Sequence, residues 1–167
     1  IYQKHLRIID GGATWHVSGE KCIWVGKKRR LSRPRTIAGF DSESKGSRSL
    51  VAYEEGTIEI PSTVKGRPTN VRVKNVLYIP EMGNVTLISQ GMLDEAGHKF
   101  TTAQGVTSCY NKRGVMVWNA FKKGGLYHIQ DNIERCMMSK DEAHARFGHI
   151  NESYLNQLGD FEGELSP

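Results

Sequence analysis

Short runs in which apolar and polar residues alternate recur along the first 130 residues, separated by turns that contain glycine. Alternation with a period of two is typical of β-strands that bury one face. On this pattern we predict strands at 56–60, 70–79, 99–102, 105–110, 115–119 and 126–129. The chain is therefore predicted to be mostly β, with its strands closing into a barrel-like sheet.

Two segments depart from this pattern. Residues 85–97 begin with a short apolar stretch and continue into a helical pattern that Gly97 is expected to end, which predicts a buried strand followed by one short helix. Residues 27–49 are polar, basic and rich in glycine and serine. They are interpreted as a long exposed loop or as a hairpin.

The character of the chain changes after Gln130. Residues 131–140 contain few strand formers, and helical patterns follow them. The sequence therefore predicts one domain at 1–130 and, at 131–167, a linker with a small helical C-terminal extension.

The composition is that of an ordinary globular protein. Hydrophobic residues make up 38% and charged residues 25% of the 167 residues, enough for one domain with a short appendage. No apolar run approaches the length of a membrane span, so no membrane contact is expected. The 3 cysteines lie far apart, which favours free thiols in a reducing compartment. The chain starts at Ile1 without a signal pattern, and we interpret it as a piece of a longer polyprotein.

Positive charge is concentrated in one segment. The formal net charge is +5, and a basic cluster falls within nine residues: Lys27, Lys28, Arg29, Arg30, Arg33 and Arg35. Such a cluster can bind the phosphate backbone of a nucleic acid through counterion release. It can equally be a solvated basic loop, because no aromatic residue lies inside the run.

Asp10 stands in the string I-I-D-G-G-A, directly after an apolar run. An Asp-Gly pair between apolar runs is the usual sequence of a tight turn, and that interpretation stays open. The alternative is a functional carboxylate, because Asp10 is the only Asp of this chain that has an Asp-x-Gly context after an apolar strand.

The order of these features resembles that of retroviral-type aspartic proteases, and more closely that of copia-type retrotransposons. In the copia-type family the chain runs through D-S-G-A with a following His, V-L-Y-V-P, N-L-L-S, G-L-Y-x-L and H-R-x-L-G-H. The matching strings here are D-G-G-A at 10–13 with His16, V-L-Y-I-P at 76–80, N-V-T-L-I-S-Q at 84–90, G-L-Y-H-I at 125–129 and H-A-R-F-G-H at 144–149. The resemblance extends over almost the whole chain.

The resemblance implies a protease segment followed by the start of the pre-integrase region. The protease would have a retropepsin-like fold and act as a homodimeric aspartic endopeptidase that processes its own Gag-Pol polyprotein in cytoplasmic virus-like particles. Asp10 of each chain would be catalytic. The active-site loop would contain Gly11, Gly12 and Ala13, with Leu87 and Ile88 packed beneath it.

By position, a flap over the substrate would lie between Ile37 and Tyr53. The residues expected to form it are Gly39, Phe40, Asp41 and Gly46. A flap of this kind closes over the substrate and opens to release the product. An ordinary surface loop is the alternative.

Two features depart from the family pattern. Position 11 carries Ser or Thr in the family, and Gly11 lacks the hydroxyl expected to brace the two loops across the dimer, which predicts a weaker dimer or a looser site. A catalytically inactive, domesticated domain that binds protein or nucleic acid is therefore the alternative function. His144 and His149 would bind zinc in the family together with a downstream C-x-x-C, which this chain does not contain. No cofactor is expected for the protease, and zinc only if such a pair follows.

Overall fold

The computed structural model describes residues 5–37 and 49–129. The predicted linker and helical extension at 131–167 lie outside the described residues. So do several residues with predicted roles in a flap or a zinc site: Gly39, Phe40, Asp41, Gly46, His144 and His149.

Strands dominate the described residues, as the alternating pattern predicted. Ten of them join one mixed sheet: β1 Leu6–Asp10, β2 Val17–Ser18, β3 Trp24–Ile37, β4 Leu50–Val64, β5 Arg67–Tyr78, β6 Val85–Ser89, β7 Lys99–Ala103, β8 Val106–Tyr110, β9 Met116–Lys123 and β10 Leu126–Ile129. A 3₁₀ turn covers Pro80–Met82, and one short helix, α1, covers Gln90–Glu95. In this part of the chain, no helix has the length and apolar character needed to cross a membrane.

The sheet is open, so the expectation of a closed barrel is wrong. The strand order is β3-β4-β5-β2-β6-β1-β10-β9-β8-β7, and among the described residues β3 and β7 are its two edges. Edge strands resist further pairing when they are charged, polar or bulged. The strand β3 is basic and has two register shifts, while β7 exposes Lys99, Thr101 and Thr102. Instead of closing, the sheet folds over on itself, so that β9 lies against β4 and β5.

The centre of the fold is the parallel pairing of β1 with β6. The two strands stay in register over their whole length, from Leu6 opposite Val85 to Asp10 opposite Ser89. Side chains on the two faces of this pair enter different hydrophobic clusters. Ile8 and Leu87 join one cluster. Ile9 and Ile88 join the other. Burial on both faces explains why two apolar residues stand next to each other in each strand, Ile8 with Ile9 and Leu87 with Ile88.

The segment 27–37 is the first arm of a long hairpin, so the hairpin interpretation was correct for it and the loop interpretation was wrong. Its basic side chains do not prevent strand formation because β4 places glutamates opposite them. Arg29 lies opposite Glu55 and forms an ion pair with it, and Arg30 lies opposite Glu54. Cross-strand pairs of opposite charge stabilise a sheet.

The short helix α1 follows the buried strand β6 and ends just before Gly97, as predicted. Ser89 is its N-cap, and the Ser89 hydroxyl accepts a hydrogen bond from the backbone N–H of Met92 at 3.1 Å. At the other end, Gly97 has φ +92°, and the N–H of His98 donates to the carbonyl of Leu93 at 2.9 Å. A glycine in this left-handed conformation ends a helix without strain.

A buried ion pair lies beneath the β1–β6 centre. Arg7 of β1 donates to Glu20 through Nε at 3.1 Å and Nη2 at 2.8 Å, and the two residues are only 5% and 1% exposed. The carboxylate of Glu20 also accepts a hydrogen bond from the hydroxyl of Thr86 in β6. Both central strands are therefore bonded to one buried carboxylate.

Replacement of Glu20 by Gln should destabilise the protein strongly, because it removes the buried carboxylate that accepts hydrogen bonds from the Arg7 guanidinium and the Thr86 hydroxyl. We expect the free energy of unfolding to fall by about 3 kcal/mol. The matched control is Glu59→Gln, which breaks the exposed Arg72–Glu59 pair and should cost less than about 1 kcal/mol. Urea unfolding of both variants at pH 7 measures the difference. Equal losses would contradict the structural role of the buried pair.

Candidate active site

Asp10 is the last residue of β1, at the point where the two central strands end together. Its Cα lies opposite that of Ser89 in β6, and its side chain is half-buried. The Oδ1 atom of Asp10 accepts a hydrogen bond from the backbone N–H of Gly12 at 2.8 Å. The tight turn predicted for D-G-G is therefore present, and the same turn holds the carboxylate at the end of a rigid strand.

The two glycines of the turn differ in how much space surrounds them. A Cβ atom on Gly12 would lie 3.3 Å from Asp10 Oδ1, which is tighter than ordinary van der Waals contact. A Cβ atom on Gly11 would lie 3.5 Å from Oε1 of Gln90, an ordinary contact distance. Position 12 thus favours glycine because the carboxylate needs the space, whereas position 11 has room for a side chain.

Ser89 joins the Asp10 loop to the helix. Its hydroxyl donates to the carbonyl of Ala13 at 2.6 Å while it caps α1 through Met92. The backbone N–H of Ser89 donates to Nδ1 of His16 at 2.9 Å. One residue in register with Asp10 therefore fixes the far side of the active-site loop at two points.

His16 is a buried histidine that acts as a hydrogen-bond acceptor. Because Nδ1 accepts from Ser89, the neutral ring carries its proton on Nε2. Burial, followed by the nearby His98, lowers the pKa of His16 to about 4. The neutral ring therefore persists in the folded protein well below the usual pH of histidine titration. Sequence reasoning included His16 only as part of a motif and did not assign it a partner.

A cleft of about 400 Å³ opens beside Asp10. Its walls come from the loop after β1, from the ends of β3 and β4 where they approach the undescribed residues 38–48, and from β6. The described residues that line the cleft are mostly apolar, and Asp10 is the only acidic one among them: Asp10, Gly12, Ala13, Thr14, Trp15, Val17, Thr36, Ile37, Leu50, Met82 and Leu87. A cleft of this size and character suits an extended peptide segment better than a compact ion.

The residues Leu87 and Ile88, which sequence reasoning put together beneath the loop, lie on opposite faces of β6. Leu87 lines the cleft. Ile88 is fully buried in the other hydrophobic cluster. The difference follows from the alternation of side chains along a strand. Of the two, only Leu87 can contact a molecule bound in the cleft.

The basic cluster lies on the edge strand β3, and three of its six members have partners. Arg29 pairs with Glu55. Lys28 Nζ lies 4.6 Å from the ring centre of Tyr78, and the guanidinium of Arg35 lies 4.2 Å from the ring centre of Trp15. The structure thus gives half of the cluster intramolecular contacts. Lys27, Arg30 and Arg33 remain exposed.

The described residues contain no group of three or more His, Cys, Asp or Glu side chains that could hold a metal ion. In the same part of the chain, Cys22 is exposed and Cys109 is buried, both as free thiols. Burial raises the pKa of Cys109 to about 12, so this thiol stays protonated and unreactive at neutral pH.

Comparisons with protein-family models, with curated proteins and with solved structures found no match for this chain. The family suggested by the sequence motifs therefore stays a prediction.

Acidification should weaken the fold through His16. The unfolded histidine takes up a proton near pH 6.5 and the folded one near pH 4, so protons favour the unfolded chain between these values. We expect His16 to remove roughly 3 kcal/mol of stability as the pH falls from 6.5 to 4, with no further loss from this group below pH 4. Urea unfolding across this range measures the effect.

The matched variant is His16→Asn, whose side-chain oxygen can accept from the N–H of Ser89 but does not titrate. Its stability should depend less steeply on pH than that of the wild type. The same slope in both proteins would show that another group carries the pH dependence.

Proposed function

We propose that this chain is one half of a homodimeric aspartic endopeptidase of the copia retrotransposon type, with a retropepsin-like fold. The observation that carries the proposal is the position of Asp10 at the end of the central β1–β6 pair, facing a peptide-sized cleft. A turn residue of purely structural importance has no need of such a cleft. The sequence motifs support the same function independently.

The chemistry requires a second chain. One carboxylate must activate a water molecule while another, protonated, donates to the carbonyl oxygen of the scissile bond. Among the described residues, Asp10 is the only acidic side chain in the lining of the cleft. A two-fold axis beside the exposed Gly11 and Gly12 would bring two Asp10 carboxylates face to face, where they would share one proton and titrate as a pair.

The proposed reaction uses the Asp10 carboxyl groups of both protomers. The ionised Asp10 takes a proton from water as the oxygen attacks the peptide carbon, and the protonated partner carboxyl gives its proton to the carbonyl oxygen. The tetrahedral intermediate then breaks its C–N bond as Asp10 gives its proton to the leaving amine nitrogen and the partner carboxylate takes a proton back from a hydroxyl of the intermediate. The hydrogen bond from Gly12 to Asp10 Oδ1 keeps the carboxylate in place through these steps.

The bonds from Ser89 make the loop rigid without help from residue 11. Ser89 holds Ala13 and His16 within one protomer, so the position of Asp10 does not depend on a bond across the dimer. This supports a working site despite Gly11. The substrate that the resemblance suggests is the polyprotein from which the chain is cut.

Asp10→Asn should abolish peptide cleavage, because the pair loses its ionisable acid while the hydrogen bond from Gly12 can persist. We expect a fall in kcat of at least about a thousandfold, measured on a polyprotein fragment that contains this chain and its flanks. Wild-type activity should rise with the square of the protein concentration in the dilute range, because only dimers cleave.

The control is Glu95→Gln, the same change of carboxylate to amide at an exposed residue of α1, which should keep full activity. Cleavage by folded Asp10→Asn protein would overturn the proposal. An inactive wild type that binds RNA or DNA in a salt-sensitive way would favour a silent binding domain with β3 as its interface.

Gly11→Ser should tighten the dimer. The structure has room for the side chain beside Gln90, and the hydroxyl can supply a hydrogen bond from each protomer. Two added hydrogen bonds of about 1 kcal/mol each would lower the dissociation constant of the dimer roughly 30-fold. Sedimentation equilibrium measures the constant. Gly11→Ala adds the same Cβ without the hydroxyl, and equal affinity of the Ser and Ala variants would refute the bracing role.

A further inference from the structure

Trp15 forms part of the cleft wall and supports a positive charge. It lies in the loop five residues after Asp10, is half-buried, and lines the cleft. The guanidinium carbon of Arg35 lies 4.2 Å from the centre of the Trp15 ring. This distance is typical of a cation–π contact, which holds the guanidinium in place over the indole.

Arg35 is not itself a lining residue, but it lies next to this wall of the cleft through its contact with Trp15. It lies near the end of β3, directly before Thr36 and two residues before Ile37, and both of these line the cleft. Residues two apart in a strand point to the same face, so the Arg35 side chain is directed to the face that Ile37 presents to the cleft. Arg35 is half-buried, unlike its neighbour Arg33, which is exposed.

The contact with Trp15 engages the Arg35 guanidinium without using its N–H donors on an acidic side chain of the described residues. Aromatic stacking uses the flat face of the group, whereas its N–H donors point outward in the plane. Among the described residues, Arg35 forms no ion pair with an acidic side chain. A fixed guanidinium beside an apolar cleft is suited to bind a carboxylate through its N–H donors.

We propose that Arg35, held on Trp15, is a specificity-determining residue that selects peptide substrates with an Asp or Glu side chain at the Trp15 end of the cleft. The inference rests on the proposed function and adds the chemical class of one substrate position. The apolar lining binds the neighbouring side chains of the peptide. The acidic side chain determines which peptides are cleaved fastest.

The test compares peptides that differ in one residue. In a cleaved peptide, each position is replaced in turn by Glu, Gln and Lys, and kcat/KM is measured with the full chain. At one position we expect the wild type to prefer Glu over Lys by roughly tenfold or more, the range of a charge-assisted hydrogen bond. Arg35→Glu should reverse that preference and leave the other positions unchanged.

The matched control is Arg33→Glu, the same charge reversal on the same strand at a residue outside the cleft wall, which should keep the wild-type preference. Arg35→Gln removes the charge but keeps a planar group for stacking, and it should abolish the preference if Arg35→Glu fails to fold. Binding of the same peptides to the Asp10→Asn protein, measured by fluorescence anisotropy, provides a readout without catalysis.

The outcomes separate the two proposals. Cleavage with an unchanged Glu-to-Lys ratio in Arg35→Glu and Arg35→Gln, or an equal change in Arg33→Glu, overturns the role of Arg35 and leaves the protease intact. No cleavage of any peptide by the wild type, together with Arg35-dependent binding of acidic peptides, overturns the protease and supports acidic-peptide recognition by this wall.

Discussion

The fold depends on one parallel strand pair, β1 with β6, which is buried on both faces. Ile8 and Leu87 pack into one hydrophobic cluster, and Ile9 and Ile88 pack into the other, so neither strand can shift by one residue without exchanging its two faces. Beneath the pair, the buried carboxylate of Glu20 bonds to Arg7 of β1 and to Thr86 of β6. Strand register, side-chain packing and the buried ion pair thus favour the same arrangement of β1 and β6. The remaining eight strands lie on either side of this pair in the sheet.

The same strand pair, β1 with β6, fixes the position of Asp10. Because β1 and β6 end together, Asp10 and Ser89 lie side by side, and everything that follows them in the chain must turn there. Ser89 uses its position to cap α1 and to hold the loop that carries Asp10. His16 completes this arrangement as a neutral acceptor, because its buried ring resists protonation. The conformation of this loop is therefore held by hydrogen bonds that do not involve Gly11.

Much of the architecture could be read from the residues before the structure was considered. The alternating strands, the short helix and its end at Gly97 depend on residues that are close together in the sequence. Their patterns can therefore be recognised in the sequence itself. The extended arm formed by β3 was ambiguous because its basic residues resemble a solvated loop. Their partners, Glu54 and Glu55, lie about 25 residues away in the chain, and no local pattern identifies them. The open form of the sheet was missed for a related reason, since closure depends on which strands meet at the edges.

The sequence by itself determined the candidate acid, the apolar run before it and the turn after it, because these follow from residue type and short-range order. Only the tertiary structure decided the surroundings of that acid. It joined Ser89 to His16 across 73 residues, separated Leu87 from Ile88, and put Arg35 on Trp15 at the wall of the cleft. Contacts between distant residues depend on strand register and sheet order. Register and sheet order are properties of the whole packed chain. Local sequence patterns therefore identify Asp10 but not the residues that surround it in the fold.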